Sequence, residues 1–247
     1  MGEVRRVASA LARSCHPAPT CAVTAFGALL AVTAGTGPAR ACLMAAAVLF
    51  GQLSIGWSND RFDAERDRTV NRLDKPIARG EISLRSVDAA IATALVATVA
   101  LSLSLGWRAG LLHLAAVGCG WLYNFWLKRT WWSWLPYAAA FGALPGVATF
   151  ASPGHPAPAG WVVAAGALLG VTAHLTNALP DLAGDAATQV RGLPHRLGPR
   201  RSLVLATVLL LASSILIVFG PPGATRPIGW VGLVLDVLFA TLGLAYA

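Results

Sequence analysis

The sequence predicts an all-α, polytopic membrane protein, and three observations support this fold class. Hydrophobic residues make up 56% of the 247 positions and charged residues only 12%, whereas soluble domains carry about 25% charged residues. The apolar residues form runs of about the length that a helix needs to cross a bilayer, roughly 20 residues. The runs have a helical period and are longer than strands, which disfavours a transmembrane β-barrel.

Eight apolar runs predict about eight transmembrane helices. They are about Thr20–Gly37, Ala41–Trp57, Val87–Trp107, Ala109–Leu127, Trp132–Ala151, Ala159–Leu179, Leu203–Gly220 and Ile228–Ala247. The segment before the first run, Met1 to Ala18, is short and basic, and we expect it to lie at the membrane interface. The loops are too short for a second soluble domain, so a single integral-membrane domain is predicted over residues 1–247.

The net charge of +8 is explained by membrane topology. With the N-terminus in the cytoplasm, sixteen of the 19 basic residues lie on the cytoplasmic side. The other three are Arg40, Arg108 and Arg226. The positive-inside rule therefore fixes the orientation, and the plasma membrane is the predicted location. This distribution accounts for the charge without a nucleic-acid partner.

The second apolar run leads into a stretch that mixes acidic and basic residues. Asn59, Asp63 and Asp67 are spaced at i, i+4 and i+8, so they share one face if the helix continues past Trp57. Asp60 lies beside them. Neighbouring acceptor side chains repel one another unless a cation sits among them, and Mg²⁺ takes oxygen ligands of this kind together with substrate phosphates.

The same spacing returns in the second half of the chain. Asn177, Asp181 and Asp185 each lie 118 positions after their counterparts. The repeat predicts two four-helix halves, about 20–130 and 131–247, with an acidic motif at the end of the second helix of each. The two acidic faces are expected to lie opposite one another around a central cavity.

Three further side chains are candidates for the same cavity. Tyr123 and Lys128 emerge between the fourth and fifth runs, on the same side of the membrane as both motifs, where an aromatic wall and a phosphate-binding ammonium are plausible. His174 lies three residues before Asn177 within a predicted span, and polar groups there usually face the bundle interior.

The two acidic motifs resemble the signatures of UbiA-type intramembrane prenyltransferases. The first resemblance lies in Asn59-Asp60-x-x-Asp63-x-x-x-Asp67 with Arg68, Arg72, Lys75-Pro76-Ile77 and Arg79-Gly80. The second lies in Asp181-x-x-x-Asp185 followed by Gly192-Leu193-Pro194 and Arg196-Leu197-Gly198, with Tyr123 and Lys128 at the family's tyrosine–lysine motif. This sequence departs from the family's pattern in two ways. The family typically has nine spans, whereas eight apolar runs are present here. Many aromatic prenyltransferases of the family have an acidic residue where this sequence has Ala178.

The resemblance implies a bundle that opens laterally to lipid, with two Mg²⁺ ions that bind an isoprenyl diphosphate. The prenyl group would pass to an aromatic or lipid-like acceptor, and diphosphate would leave. The implied metal ligands are Asn59, Asp60, Asp63, Asp67, Asn177, Asp181 and Asp185. The implied diphosphate-binding residues are Asn59, Arg68, Arg72, Lys75, Lys128, Asn177 and Arg191. The implied catalytic residues are Asp63, Asp67, Asp181, Asp185, Lys128 and Tyr123.

Two other functions remain open from the sequence. A terpene cyclase of the same family would use identical ionisation chemistry and the same motifs. A transporter is suggested by the two-half repeat and by the intramembrane polar residues. Transporter sites lie near the bilayer midplane, however, whereas these acids lie at the cytoplasmic ends of the predicted spans.

Overall fold

The computed structural model describes residues 2–69, 75–182 and 191–245, whose regular secondary structure is helical throughout. The α-helices are α1 (Gly2–Ser14), α2 (Pro17–Thr33), α3 (Pro38–Thr69), α4 (Leu84–Ser104), α5 (Trp107–Phe125), α6 (Leu135–Ala151), α7 (Gly160–Ala178), α8 (Leu193–Leu197), α9 (Pro199–Phe219) and α10 (Pro227–Ala245). Short 3-10 helices span Leu127–Arg129, Trp131–Trp134 and Leu179–Asp181. The all-α prediction is confirmed.

Each of the eight predicted apolar runs coincides with one helix, namely α2 to α7, α9 and α10. Four of them, α3, α4, α7 and α9, are long and apolar enough to cross a membrane. A fifth span is formed if α1 and α2, which meet at a bend of 71°, are taken together. The crossing of the membrane by α5, α6 and α10 stays a prediction.

The chain divides into two compact units, and the first comprises Met1–Phe125 and Val147–Pro156. Its central element is α3, which packs against α2, α4 and α5. At Gly56 an added Cβ would lie 2.4 Å from the carbonyl oxygen of Cys15, so only glycine lets the α1–α2 bend rest on the backbone of α3. This contact brings the bend beside the acidic end of α3.

An apolar cluster supports that end of α3 within the first unit. Ala64 of α3 packs with Ala10 of α1, Ile77 and Ile82 of the following segment, and Val87 of α4, and all five are buried. The indole N–H of Trp57 also donates to the carbonyl oxygen of Leu11 over 2.9 Å. Burial of this apolar area fixes α1 and the segment from Ile77 to Ile82 against the acidic helix end.

The second unit comprises Trp126–Gly146 and Ala157–Ala247. In it α7 packs against α9, and α9 against α10. Gly166 and Gly170 of α7 press on α6, since added Cβ atoms would lie 2.7 Å from the carbonyl oxygen of Phe141 and 2.3 Å from that of Tyr137. Small residues at this spacing are a common way for membrane helices to bring their backbones close. The division into the predicted halves 20–130 and 131–247 stays a prediction.

Asp236, the acidic residue within the apolar helix α10, has a partner that the sequence did not reveal. The hydroxyl group of Ser214 in α9 donates a hydrogen bond to the carboxyl group of Asp236. The pair therefore offsets part of the cost of a polar group at this position between two apolar helices.

Candidate functional site

The first acidic motif lies on the last turns of α3. Because the helix continues without a break to Thr69, Asn59, Asp63 and Asp67 keep the predicted spacing along one face. The exposed fraction is only 3% for Asp60 and Asp63 and 1% for Asp67. Three carboxylates this deeply buried need compensating charge in the protein or in a ligand.

Two basic side chains supply that charge. The Nζ atom of Lys75 lies 3.0 Å from Oδ1 of Asp60 and 2.9 Å from Oδ2 of Asp67. Arg66 lies one turn from Asp63, and its Nη2 atom is 3.0 Å from Oδ2 of Asp63 and 3.4 Å from Oδ1 of Asp67. Lys75 thus bridges the first and third aspartates, and Arg66 bridges the second and third.

Two opposing effects act on the pKa of Lys75. Burial acts to lower the pKa of Lys75, but the nearby carboxylates of Asp60 and Asp67 outweigh burial, and the pKa of Lys75 is raised. The ammonium group therefore stays protonated and acts as an internal counter-ion of the motif.

The bend between α1 and α2 adds a third contact to the motif. His16 has a backbone φ of 54°, in the left-handed region that residues other than glycine seldom occupy. Its Nε2 atom lies 3.0 Å from Oδ1 of Asp60 and 3.4 Å from Nδ2 of Asn59. Strained backbone of this kind is often retained at functional sites, and here it directs the imidazole to the first two motif residues.

Three further predicted residues, Arg68, Arg72 and Tyr123, come from the first motif and from the tyrosine–lysine motif. The side chain of Arg68 is turned back on its own segment, with Nη2 3.5 Å from the carbonyl oxygen of Ile77. Tyr123 is half-buried near the end of α5. The prediction for Arg72 falls outside the described residues.

The second motif begins where α7 ends. Asn177 is exposed there. Asp181 ends the 3-10 helix that follows α7. The prediction for Asp185 falls outside the described residues.

Lys128 and Gly192 meet in the same unit. Lys128 is buried, with an exposed fraction of 5%, and an added Cβ at Gly192 would lie 2.8 Å from the Lys128 carbonyl oxygen. Arg191 is exposed, and its own carbonyl oxygen accepts a hydrogen bond of 2.9 Å from Nε of Arg196. The predicted phosphate-binding residues Lys128 and Arg191 therefore lie at one backbone junction.

The donor chemistry of the first motif fits Mg²⁺. Its side chains offer carboxylate and amide oxygens, which are hard ligands. The buried Oδ2 atom of Asp67 lies 2.9 Å from Lys75 Nζ, yet no donor among the described residues reaches it at hydrogen-bonding angles. In the parts of the chain that the structure describes, no three His, Cys, Asp or Glu side chains are grouped as metal ligands. The carboxylates are instead engaged with Lys75 and Arg66.

Comparison with known families identifies the chain. The model of the UbiA prenyltransferase family matches residues 20–247. The chain belongs to this family. The resemblance seen in the two motifs is therefore confirmed, and the protein is an integral membrane enzyme of the prenyltransferase class.

Individual relatives agree with this assignment. A digeranylgeranylglyceryl phosphate synthase of Methanopyrus kandleri is 31% identical over 229 residues, which cover 87% of this chain and 79% of the relative. A protoheme IX farnesyltransferase of Rhodopseudomonas palustris is 28% identical, with 90% and 66% coverage. A UbiA homologue of Archaeoglobus fulgidus, solved with GPP and Mg²⁺, has a TM-score of 0.72 at 19% identity, with 96% and 86% coverage. At that identity the last likeness shows the fold.

Sequence reasoning missed three residues that contact the candidate site residues or their neighbours. Arg66 stands three positions after Asp63, a helical ion-pair spacing that could have revealed it. Ser133 and Tyr137 gave no such signal. Their partners Leu193 and His174 lie 60 and 37 positions further along the chain, and no local period reports contacts of that separation.

Proposed function

We propose that this UbiA-family enzyme transfers a prenyl group from an isoprenyl diphosphate to a lipid-like or aromatic acceptor, with Mg²⁺ held by its acidic motifs. The observation that carries the proposal is the acidic end of α3, where three buried aspartates lie in contact with Lys75 and Arg66. Support comes from solved homologues that were bound to GPP or DMAPP together with Mg²⁺.

Asn59, Asp60, Asp63 and Asp67 would hold one Mg²⁺ ion, and Asn177, Asp181 and Asp185 a second. When bound, Mg²⁺ supplies positive charge that stabilises the leaving diphosphate without exchanging protons. The side chains of α3 are suited to this because burial keeps water from screening them. The Asn59 amide, beside His16, offers a neutral oxygen next to the carboxylates.

Basic side chains would bind the diphosphate oxygens that Mg²⁺ does not bind. The proposed residues are Arg68, Arg72, Lys75, Lys128 and Arg191. Charge-assisted hydrogen bonds of this type are among the stronger ones in proteins. Lys75 is already paired with Asp60 and Asp67, so its ammonium group would exchange those carboxylates for phosphate when metal and substrate bind.

The acceptor and the orientation are also part of the proposal. A lipid-like acceptor is favoured because several relatives are named digeranylgeranylglyceryl phosphate synthases. The apolar helices would provide the dry surface that a prenyl chain and such an acceptor require. A cytoplasmic position of the motifs, in the plasma membrane, is supported by the distribution of the basic residues.

The metal assignment is tested with Asp63→Asn and Asp181→Asn in a Mg²⁺-dependent assay of diphosphate release. Each change removes one charge and keeps the side-chain shape, and a rate loss of about 10²–10³-fold is expected if each carboxylate stabilises the transition state like an oxyanion-hole donor. Asp88→Asn is the matched control, since Asp88 is 52% exposed and pairs with Arg61. Turnover of both motif variants at the level of the control would contradict the assignment.

The transferase is separated from a cyclase by product analysis. Purified protein is given Mg²⁺ and a prenyl diphosphate, with and without a glyceryl phosphate ether, a porphyrin or a small phenol. A prenylated acceptor is expected, and its class identifies the substrate. Formation of a cyclic hydrocarbon without any acceptor would contradict prenyl transfer and show that the enzyme is a cyclase.

A further inference from the structure

In the first unit, a buried amide binds the last turn of α5 to α3. Asn124 of α5 and Ser58 of α3 are 3% and 0% exposed. The Nδ2 atom of Asn124 donates to the carbonyl oxygen of Ile55 over 2.8 Å and to the hydroxyl oxygen of Ser58 over 2.9 Å. Ser58 in turn donates to the Ile55 carbonyl oxygen over 2.9 Å. One side chain of α5 thus reaches two groups of a single turn of α3.

That turn of α3 leads directly into the first motif. In an α-helix each carbonyl oxygen accepts a hydrogen bond from the N–H group four residues later, and α3 is unbroken over Pro38–Thr69. By this pattern the Ile55 carbonyl oxygen also accepts from the N–H of Asn59, the first residue of the motif. Asn124 therefore holds the backbone turn that carries Asn59. Its neighbour in α5 is Tyr123, which the family resemblance implies to be catalytic.

Apolar contacts bring the same two helices together on both sides of Asn124. An added Cβ at Gly120 would lie 2.5 Å from Cδ1 of Ile55, so glycine is needed for this close approach. The ring of Phe62, within the motif, makes edge-on contacts with Trp121 and Phe125, with centroid distances of 6.0 Å in both cases. Apolar contacts are non-directional, whereas hydrogen bonds have preferred angles. The amide of Asn124 thus adds the directional contact of this packing.

We propose that Asn124 is a positioning residue of the first motif, which fixes the turn that carries Asn59 relative to the end of α5 that carries Tyr123. This inference rests on the proposed function, because that turn would present Asn59 to a metal–diphosphate ligand. Asn124 does not touch the reacting atoms in this role. It acts as an outer partner of the site, and loss of such a partner typically costs roughly 10–100-fold in metal affinity or activity.

Asn124→Leu is the decisive variant, because leucine has nearly the same branched shape and no hydrogen-bonding group. The Ile55 carbonyl oxygen keeps its bond from Ser58, so no buried acceptor loses its last donor and the variant should fold. Ser58→Ala is a second variant, which removes one of the two acceptors of the amide. Ser102→Ala is the matched control, since Ser102 is buried in the same unit and its Oγ lies 2.7 Å from Nδ1 of His113, about three turns before Asn124 in α5.

The experiment uses the full-length protein in lipid nanodiscs, with fluorotyrosine in place of its three tyrosines. Mn²⁺ replaces Mg²⁺ and is added with a non-hydrolysable thiolo analogue of geranyl diphosphate. The fluorine resonance of Tyr123, assigned with Tyr123→Phe, is broadened by Mn²⁺ to an extent that falls steeply with distance from the ion. The part of the broadening that Asp63→Asn removes reports on an ion at the first motif. Diphosphate release from geranyl diphosphate with Mg²⁺ is measured in parallel.

We expect Asn124→Leu to reduce the Mn²⁺-dependent broadening at Tyr123 and to slow diphosphate release about tenfold or more, within the range for outer partners of a metal site. Ser58→Ala should shift both properties in the same direction by a smaller factor, and Ser102→Ala should change neither.

If Asn124→Leu and Ser58→Ala both match the control in broadening, the positioning role is overturned, even where release or thermal stability has changed. Ser58→Ala decides the test if Asn124→Leu does not fold. A different result would count against the proposed function itself. If the wild-type Tyr123 resonance shows no broadening that Asp63→Asn removes, the metal assignment of the first motif is overturned, and this role with it.

Discussion

The two motif regions of this UbiA-family protein are built on different physical principles. At the end of α3, three buried carboxylates are held by charge, with Lys75 and Arg66 as their partners. Beside the end of α7 the contacts are instead made by uncharged groups, with Ser133 hydrogen-bonded to His174 and to the Leu193 backbone and the rings of His174 and Tyr137 in contact. Charge pairs in a dry environment are strong but tolerate changes of angle, whereas neutral hydrogen bonds are weaker and directional. We infer that the first region supplies electrostatic strength and the second supplies orientation.

The largest expected effect comes from removing a charge partner in the first region. Lys75→Met leaves Asp60 and Asp67 buried without their shared ammonium, and loss of one partner of a buried ion pair costs about 3 kcal/mol or more. Thermal unfolding in detergent without metal should therefore occur at a clearly lower temperature. The variant should also gain stability from added Mg²⁺ more than the wild type does, because the metal replaces the missing charge.

Arg79→Met is the matched control for that experiment. It removes the same charge four residues away, where Arg79 is half-exposed and pairs with Glu81. An equal loss of stability in both variants would show that the first region does not depend on its internal counter-ion, and the comparison between the regions would fail.

A smaller effect is expected from crowding the second region. Gly192→Ala places a methyl group within 3 Å of the Lys128 carbonyl oxygen and of Ser133 Oγ, and overpacking of this kind costs about 1–3 kcal/mol. The unfolding temperature and diphosphate release should both fall. Gly232→Ala, in a helix of the same unit with open space around it, should leave both unchanged, and equal behaviour of the two variants would contradict the close packing.

The Ser214–Asp236 pair allows the contribution of one hydrogen bond between two apolar helices of the second unit to be measured. Ser214→Ala removes the hydroxyl donor, and interhelical hydrogen bonds in membranes contribute about 0.6 kcal/mol on average. A small fall in unfolding temperature with normal diphosphate release is the expected result. A large loss of activity would mean that the polar groups of α9 and α10 belong to the site, which would break the distinction drawn here.

The smallest effect concerns an exposed charge pair in the first unit. A hydrogen bond from Arg13 lowers the pKa of Glu81 below its ordinary value of 4.5. Since the folded-state pKa is lowered, the pair contributes above pH 4.5 and is lost as the pH falls through the lowered value. The protection of the α1 amides against hydrogen exchange, measured relative to the intrinsic exchange rate at each pH, should fall slightly below pH 4.5 in the wild type. Glu81→Gln should show no such step, and an identical step in both proteins would remove Glu81 as its cause.

The helices and the shared face of the first motif could be predicted from the sequence because both follow from the spacing of nearby residues. The apolar runs predicted the helices, and the i, i+4, i+8 spacing of Asn59, Asp63 and Asp67 predicted a shared face that α3 provides. The contacts that distinguish the two regions were not accessible. Lys75 contacts Asp60, which lies 15 positions earlier in the chain, and the Leu193 backbone contacts Ser133, which lies 60 positions earlier. Such contacts depend on tertiary packing, which no spacing rule encodes.

Direct backbone contact at Gly166 and Gly170 makes α6 and α7 a single rigid block. The nearest atoms at both glycines are main-chain carbonyl oxygens of α6, which cannot repack as a side chain does, so sliding of one helix along the other would bring main chains into collision. Attempts to re-engineer the enzyme for bulkier substrates should therefore leave this block intact and vary helices whose contacts are made by flexible side chains. The same constraint applies to natural selection, so we expect adaptation to new substrates to change those other helices and to leave α6 and α7 in contact.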